Sequence, residues 1–288
     1  MPASPPEAFF LPVDDGGHHG QRFCLFHPAQ TRRPLGSILY VHPFAEEMNK
    51  SRRMAAMQSR AMAQAGYAVL QIDLLGCGDS SGDFGDASWQ DWINDVIRGA
   101  GWLRRRADAP LWLWGLRAGS LLTSQAAAHL DTPCNFIFWA PVISGKLLLQ
   151  QFLRLKAAGA MLGGNAKGVT EALRDQLASG TAVEVAGYAV SPALAHGLAQ
   201  ASLDPPARIA QALPSPRVEW FELSTRDDAV VSPVSAKTST QWSQSDFHVR
   251  THLVSGPSFW QTGEIEEAPE LITATVAAMA TLQQPIAT

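Results

Sequence analysis

Residues 111–119 read LWLWGLRAG: four bulky apolar residues run into a turn, Gly115-Leu116-Arg117-Ala118-Gly119, with glycine at both ends. A short apolar run without alternation reads as a strand buried on both faces. The small-residue stretch 118–130 that follows reads as a helix. The two glycines let that helix come close to its strand, since neither carries a Cβ to hold the backbones apart. A strand turning directly into a helix predicts βα alternation.

The rest of the chain repeats that unit. Segments 36–41 (GSILYV), 67–73 (YAVLQID), 135–139 (NFIFW), 218–223 and 248–254 read as strands, and 8–13 with 22–27 as two short strands around Asp15-Gly16-Gly17. Met54, Met57, Ala61, Met62 and Ala65 recur at helical spacing over 51–66. Ser88 with Asp91 three residues later has the form of a capping box, opening a helix over 88–106. Its apolar stripe begins with Trp89 and Trp92, which are expected in the core, and a last helix is expected over 269–282. Strands alternating with helices predict an α/β fold: one domain, 1–288, with a mainly parallel sheet covered on both faces. Between about 143 and 215 the alternation stops. A stretch of that length needs structure of its own. Helices over 147–158 and 170–178 and an extended pair over 183–190 suggest a mostly helical lid above the carboxyl ends of the strands.

Composition removes several functions. Lys+Arg 22 against Asp+Glu 26 gives a net charge of −4, without the basic surplus that phosphate contact needs, so no nucleic-acid partner is expected. No apolar window approaches the roughly 20 residues of a membrane span. The first ten residues lack the basic-then-apolar pattern of a signal peptide. Cys24, Cys77 and Cys134 are odd in number and have no C-x-x-C spacing. That argues against disulfides and structural zinc and for a reducing cytoplasm. No metal or other cofactor is expected.

Three loops end strands, where open α/β sheets bind ligands. They are residues 42–51 (HPFAEEMNKS), 73–82 (DLLGCGDSSG) and the turn at 115–119. In this order and context they resemble the oxyanion loop, the D-x-x-G-x-G-x-S-x-G loop and the nucleophile elbow of the α/β-hydrolase fold. The chain more closely resembles the exosortase A system-associated hydrolases of type 2, in the runs LYVHPFAEEMNKSRRM (39–54), QIDLLGCGDSSGDF (71–84), LWLWGLR (111–117) and GPSFWQTGEIE (256–266). The resemblance implies a hydrolase of ester- or thioester-type acyl substrates, in bacteria with exopolysaccharide and PEP-CTERM sorting clusters. It also implies that the N–H groups of Phe44 and Ala118 are oxyanion-hole donors. Asp227, with Asp228 beside it, would match the acid of the triad.

The departures matter as much. The elbow motif G-x-S-x-G holds a nucleophilic serine; here its centre is Arg117, whose guanidinium keeps its proton. Ser120, three residues on, is the only nearby substitute and falls inside the helix. The loop 255–260, where a triad histidine would stand, contains none, and His252 lies within the preceding strand. An acyl-enzyme mechanism therefore lacks its nucleophile and its base.

Three readings follow. In the first, Arg117 and the helix N-terminus behind it hold an anionic or acyl small molecule, or Arg117 pairs with Asp227 or Asp228 and plugs the site. In the second, His42 is a general base for water, oriented by Glu46, Glu47 or Asp73, with Arg117 on the developing oxyanion; against it, the imidazole braces loops through backbone bonds. Cys77 is a poorer nucleophile, because nearby Asp79 raises a thiol pKa. In the third, the chain is an assembly subunit whose lid and 46–53 charges contact a protein partner or a second copy.

Overall fold

The structure, a computed structural model, describes residues 4–15, 18–159 and 166–280. Eight strands form one sheet: β1 (Glu7–Asp15), β2 (His18–His27), β3 (Gly36–Val41), β4 (Tyr67–Ile72), β5 (Leu111–Leu116), β6 (Cys134–Trp139), β9 (Arg217–Ser224) and β10 (His248–Ser255). Their order is β1-β2-β4-β3-β5-β6-β9-β10. The β1–β2 and β2–β4 pairs are antiparallel, and every pair from β4 to β10 is parallel. β3, β5 and β6 are buried along their whole length, as their unbroken apolar runs require.

Helices cover both faces. Leu111 and Leu113 of β5, with Phe136 and Phe138 of β6, point to the face under α2 (Trp89–Arg106), α3 (Gly119–Ala127) and Trp242 of α8 (Pro233–Gln244). Their neighbours Trp112, Trp114, Ile137 and Trp139 point to the face under α1 (Glu46–Gln64) and α9 (Pro269–Ala280). The period of two along each strand thus divides one apolar run between two cores.

α2 begins at the expected capping box: Ser88 Oγ accepts from the Asp91 N–H at 3.1 Å, and Asp91 accepts from the Ser88 N–H at 2.9 Å. Trp89 and Trp92 are buried, and Trp92 donates its indole N–H to the Leu75 carbonyl at 3.0 Å.

Between β6 and β9 lie α4 (Gly145–Gly159), α5 (Ala166–Ala178), the hairpin β7 (Val183–Val185) and β8 (Tyr188–Val190), α6 (Pro192–Gln200) and α7 (Ala207–Ala212). α6 is fixed to α2. Ser191, which also caps α6, donates its hydroxyl to the Ala87 carbonyl at 2.6 Å, and a Cβ at Gly197 would overlap Trp89.

Several boundaries differ from the sequence reading. α1 starts at Glu46 rather than 51, with two carboxylates in its first turn, a placement the helix dipole favours. Its N-cap is Ala45, at φ 50° and without a side-chain cap, so no capping residue marked the start. α6 and α8 were not anticipated, although Ser191-Pro192 and Ser232-Pro233 each place a capping serine before a proline at the first helical position. α7 was not anticipated either. Gly16 and Gly17 of the first turn and residues 281–282 of the last expected helix lie outside the described residues.

Among the described residues no helix is long and apolar enough to cross a membrane, and no three metal-ligating side chains come together. The three cysteines are free and buried.

Candidate functional site

The turn after β5 is a strained strand-to-helix elbow. Arg117 sits at φ 54°, a left-handed conformation that costs a non-glycine residue of order 1–2 kcal/mol. Its backbone is over-determined: the Arg117 N–H donates to Trp139 at 3.0 Å, and its carbonyl accepts from Ser120 at 3.0 Å and Val142 at 3.3 Å. The flanking glycines are steric necessities. A Cβ on Gly119 would overlap the Val41 carbonyl, and one on Gly115 would overlap the Ser120 backbone. The apex position therefore holds a guanidinium at the carboxyl edge of the sheet.

Arg117 does not pair with Asp227 or Asp228, as expected for a plug. Its Nε and Nη2 both donate to Glu47 Oε1 at 3.4 Å, and its Nη1 donates to the Ala140 carbonyl at 3.4 Å. The guanidinium carbon stands 5.2 Å over the Trp260 ring. Asp227 and Asp228 are exposed, and Asp228 turns to Arg226 at 3.1 Å instead. The physical reason is reach: Glu47 opens α1 next to the elbow, whereas the Asp227 loop continues outward into solvent.

Glu47 is 8% exposed. Burial raises its carboxyl pKa above the ordinary value, partly offset by Arg117 and by the nearby Gln261 amide. With Oε1 shared by two long bonds, Oε2 is buried without any hydrogen-bond partner among the described residues. The same holds for Glu46 Oε2 and Trp260 Nε1.

These three side chains line a cavity of about 260 Å³ between α1, α4 and the loop after β10. Phe44, Leu148, Phe152 and Leu155 supply its apolar wall, and Lys50, Gln151 and Gln261 the remaining polar groups. Arg117 is not among the lining residues, so the cavity meets carboxylates first and the guanidinium lies beyond Glu47. The anion site expected at Arg117 is thus not what the cavity presents.

The two expected oxyanion donors fall on different elements. Phe44 is buried in the cavity wall, against Phe152, and Ala118 precedes the first turn of α3. Among the described residues neither backbone N–H has an acceptor.

His42 is engaged on both ring nitrogens. It is 4% exposed; Nε2 accepts from the Leu74 N–H at 3.3 Å, so the ring proton stands on Nδ1, which donates to the Pro43 carbonyl at 2.8 Å. Burial holds this imidazole below its ordinary pKa, against a smaller pull from Asp73. Neither ring nitrogen is left to take a proton from water. Asp73 is engaged as well: Arg52 lies at 3.1 Å and the Asp79 N–H donates to it at 3.2 Å.

Ser120 is fully buried and donates its hydroxyl to the Gly115 carbonyl at 3.2 Å. His252 contacts Glu219 at 2.8 Å and stacks on Phe221, as its place within a strand implied. Burial pushes the Cys77 thiol pKa up, so it is a poor nucleophile. The charges of 46–53 are not all outward: Glu47 is buried and Glu46 half-buried, leaving Arg52 and Arg53 as the exposed ones.

Trp260, Gln261, Lys50 and the face of α4 were not singled out as site residues. Trp260 and Gln261 lie in the quoted run 256–266, at the place where a histidine was sought, and that run was their only signal.

The chain matches the family described as "Serine aminopeptidase, S33" over residues 32–256. A thermostable monoacylglycerol lipase of Bacillus sp. (strain H-257) is 33% identical over 104 residues, 36% of this chain and 39% of that protein. The chain spans 39% and 29% of the length of the curated relatives it matches. Est1E from Butyrivibrio proteoclasticus, solved with ferulic acid, is similar at TM-score 0.64 and 16% identity over 95% of this chain and 98% of that one. A carboxyl esterase from Bacillus coagulans, solved with glycerol, gives 0.63 and 14% over 97% and 99%. At such identities the likeness is one of fold, the α/β-hydrolase fold.

Proposed function

Because this chain belongs to the serine aminopeptidase S33 family of α/β hydrolases, we propose that it keeps the fold's ligand cavity while its triad is degenerate, and that it holds an acyl-type small molecule without forming an acyl-enzyme. The observation that carries this reading is the side chain at the elbow. Arg117 fills the place from which a nucleophile would attack, and its guanidinium is spent on Glu47, Ala140 and Trp260. The loop 255–260 brings a tryptophan against it where a base is required.

A fluorophosphonate probe and a series of short acyl p-nitrophenyl esters test the proposal. Neither labelling nor turnover is expected, and a labelled Ser120 or a burst of p-nitrophenol would overturn it.

One observation favours a second reading. The backbone N–H groups of Phe44 and Ala118 have no acceptor among the described residues, and Glu47 is the carboxylate that meets the elbow; on this reading the two N–H groups would receive an oxyanion and Glu47 would take a proton from water. Slow ester hydrolysis abolished by Glu47→Gln, without covalent labelling, would select this route. The four sequence runs support placement in the exosortase A-associated subset, with a role beside exopolysaccharide and sorted-protein export. The unlinked cysteines accord with a reducing cytoplasm.

A further inference from the structure

α4 has two unlike faces. Leu148, Leu149, Phe152 and Leu153 turn inward and are buried, with the Phe152 ring centroid 5.1 Å from that of Phe44. Two rows of every fourth residue run along the outer side: Leu147, Gln151 and Leu155, and beside them Lys146, Gln150 and Arg154. Leu147 is 58% exposed and Leu155 46%, although the inner face already gives the helix its core contacts. Gln151 and Leu155 also line the cavity, so the outer face and the cavity wall share a border.

Charge on this face runs against that of the chain. Residues 132–170 hold Lys146, Arg154, Lys156 and Lys167 and no Asp or Glu, in a chain of net charge −4. Lys146, Arg154 and Lys156 are exposed, and none is ion-paired among the described residues. The helix dipole favours Lys156 in the last turn but opposes Lys146 in the first, so helix stability does not account for the set. Cations interleaved with exposed leucines narrow the partner. A nucleic acid would meet the cations and leave the leucines in water. An acidic protein surface would need an apolar patch at matching spacing. An anionic bilayer satisfies both kinds of side chain, since its headgroups meet the cations and its acyl boundary takes the leucines.

We propose that the outer face of α4 docks on an anionic phospholipid bilayer and sets the cavity border at Gln151 and Leu155 against it, so that an acyl-type ligand passes between lipid and cavity without crossing bulk water. The passage rests on the reading that the cavity is the ligand site, whereas the docking does not require the cavity to be occupied.

Sedimentation of the full chain with vesicles of phosphatidylcholine alone, or of phosphatidylcholine and phosphatidylglycerol in equal amounts, tests the docking. Binding is expected to the mixed vesicles only, and should weaken as salt is raised. Lys146→Gln combined with Arg154→Gln should lower the partition coefficient by about 25-fold, at about fivefold for each cation. Leu147→Ser should lower it by about tenfold through lost apolar burial. Leu147 is not among the cavity's lining residues, so this variant reads the outer face alone. All three positions are exposed, and an unchanged thermal unfolding curve shows that each variant is folded. Equal binding to both kinds of vesicle, or binding to neither, would overturn the proposal. Binding lost in the double glutamine variant but kept in Leu147→Ser would overturn the bilayer in favour of an acidic protein surface. The cavity reading stands or falls separately, on the ester and fluorophosphonate tests, which need no vesicle.

Discussion

Two N–H groups of Arg117 converge on a single oxygen of Glu47, each at 3.4 Å, and leave the other oxygen unmet. The pair is buried and joins the elbow after β5 to the first turn of α1. Its bonds are long, so the carboxylate is held in place and remains under-satisfied. Removing the guanidinium would leave that carboxylate buried without a counter-charge. Arg117→Met should cost about 3 kcal/mol at pH 8 by urea unfolding. A buried carboxyl whose folded pKa lies above its unfolded value binds its proton preferentially in the folded state, so the loss should shrink as the pH falls toward 5. An equal loss at both pH values would show that Glu47 is not the group left behind.

The acid loop gives a contrast. Asp227 is exposed and away from the cavity, so Asp227→Ala should change stability by less than about 0.5 kcal/mol and leave ligand binding unaltered. Glu219 is fully buried and receives Arg250 at 2.7 Å and His252 at 2.8 Å. Glu219→Ala should cost about 3–5 kcal/mol in the same assay, because it strands the cations around it.

Acid sensitivity should trace partly to His27. Burial, with Arg60 nearby, lowers its pKa from 6.5 to about 4. Below the unfolded value the unfolded chain binds the proton and the folded one does not. Stability contributed by His27 is therefore complete above pH 6.5 and is lost as the pH falls toward about 4. The loss at pH 5 should be about 2 kcal/mol. Glu47 and Asp95, whose carboxyl pKa values burial raises, act in the opposite direction. The comparison of wild type with His27→Gln at pH 7 and pH 5 isolates the histidine: the variant should lose less on acidification.

Gly119→Ala should be among the most damaging single-methyl additions. Its Cβ would lie on the Val41 carbonyl, a backbone atom that cannot rotate aside. A loss of about 3 kcal/mol or more, measured by thermal unfolding, is expected from overpacking at this crossing.

The sheet and most helices were legible because burial on two faces, helical periodicity and the Ser88–Asp91 cap are local signals. The position of the elbow was legible from glycine spacing, whereas Phe44 and Ala118 entered as donors only through the likeness of the loops to the α/β-hydrolase fold. Partnership was not. That Arg117 meets Glu47 rather than Asp227 depends on how α1 approaches β5, and nothing within either loop encodes that crossing. His42 was ambiguous for the same reason, since its role is fixed by the Leu74 amide, 32 residues away. α1 hid its own start: Ala45 offers no capping side chain, so Glu46 and Glu47 read as loop.

Ala45, Arg117 and Ala140 all hold left-handed backbone without being glycine, at φ 50°, 54° and 42°. Ala45 stands between the lining residues Phe44 and Glu46, and the Ala140 carbonyl accepts from Arg117, which holds the lining residue Glu47. Glycine at Ala45 or Ala140 would relieve the torsional cost and would also release conformational freedom in the unfolded chain. The non-glycine residues keep these junctions in one geometry before any ligand arrives. The backbone behind Phe44, Glu46 and Glu47 is therefore preorganised: ordering entropy is settled during folding, and a ligand entering the cavity need not supply it again.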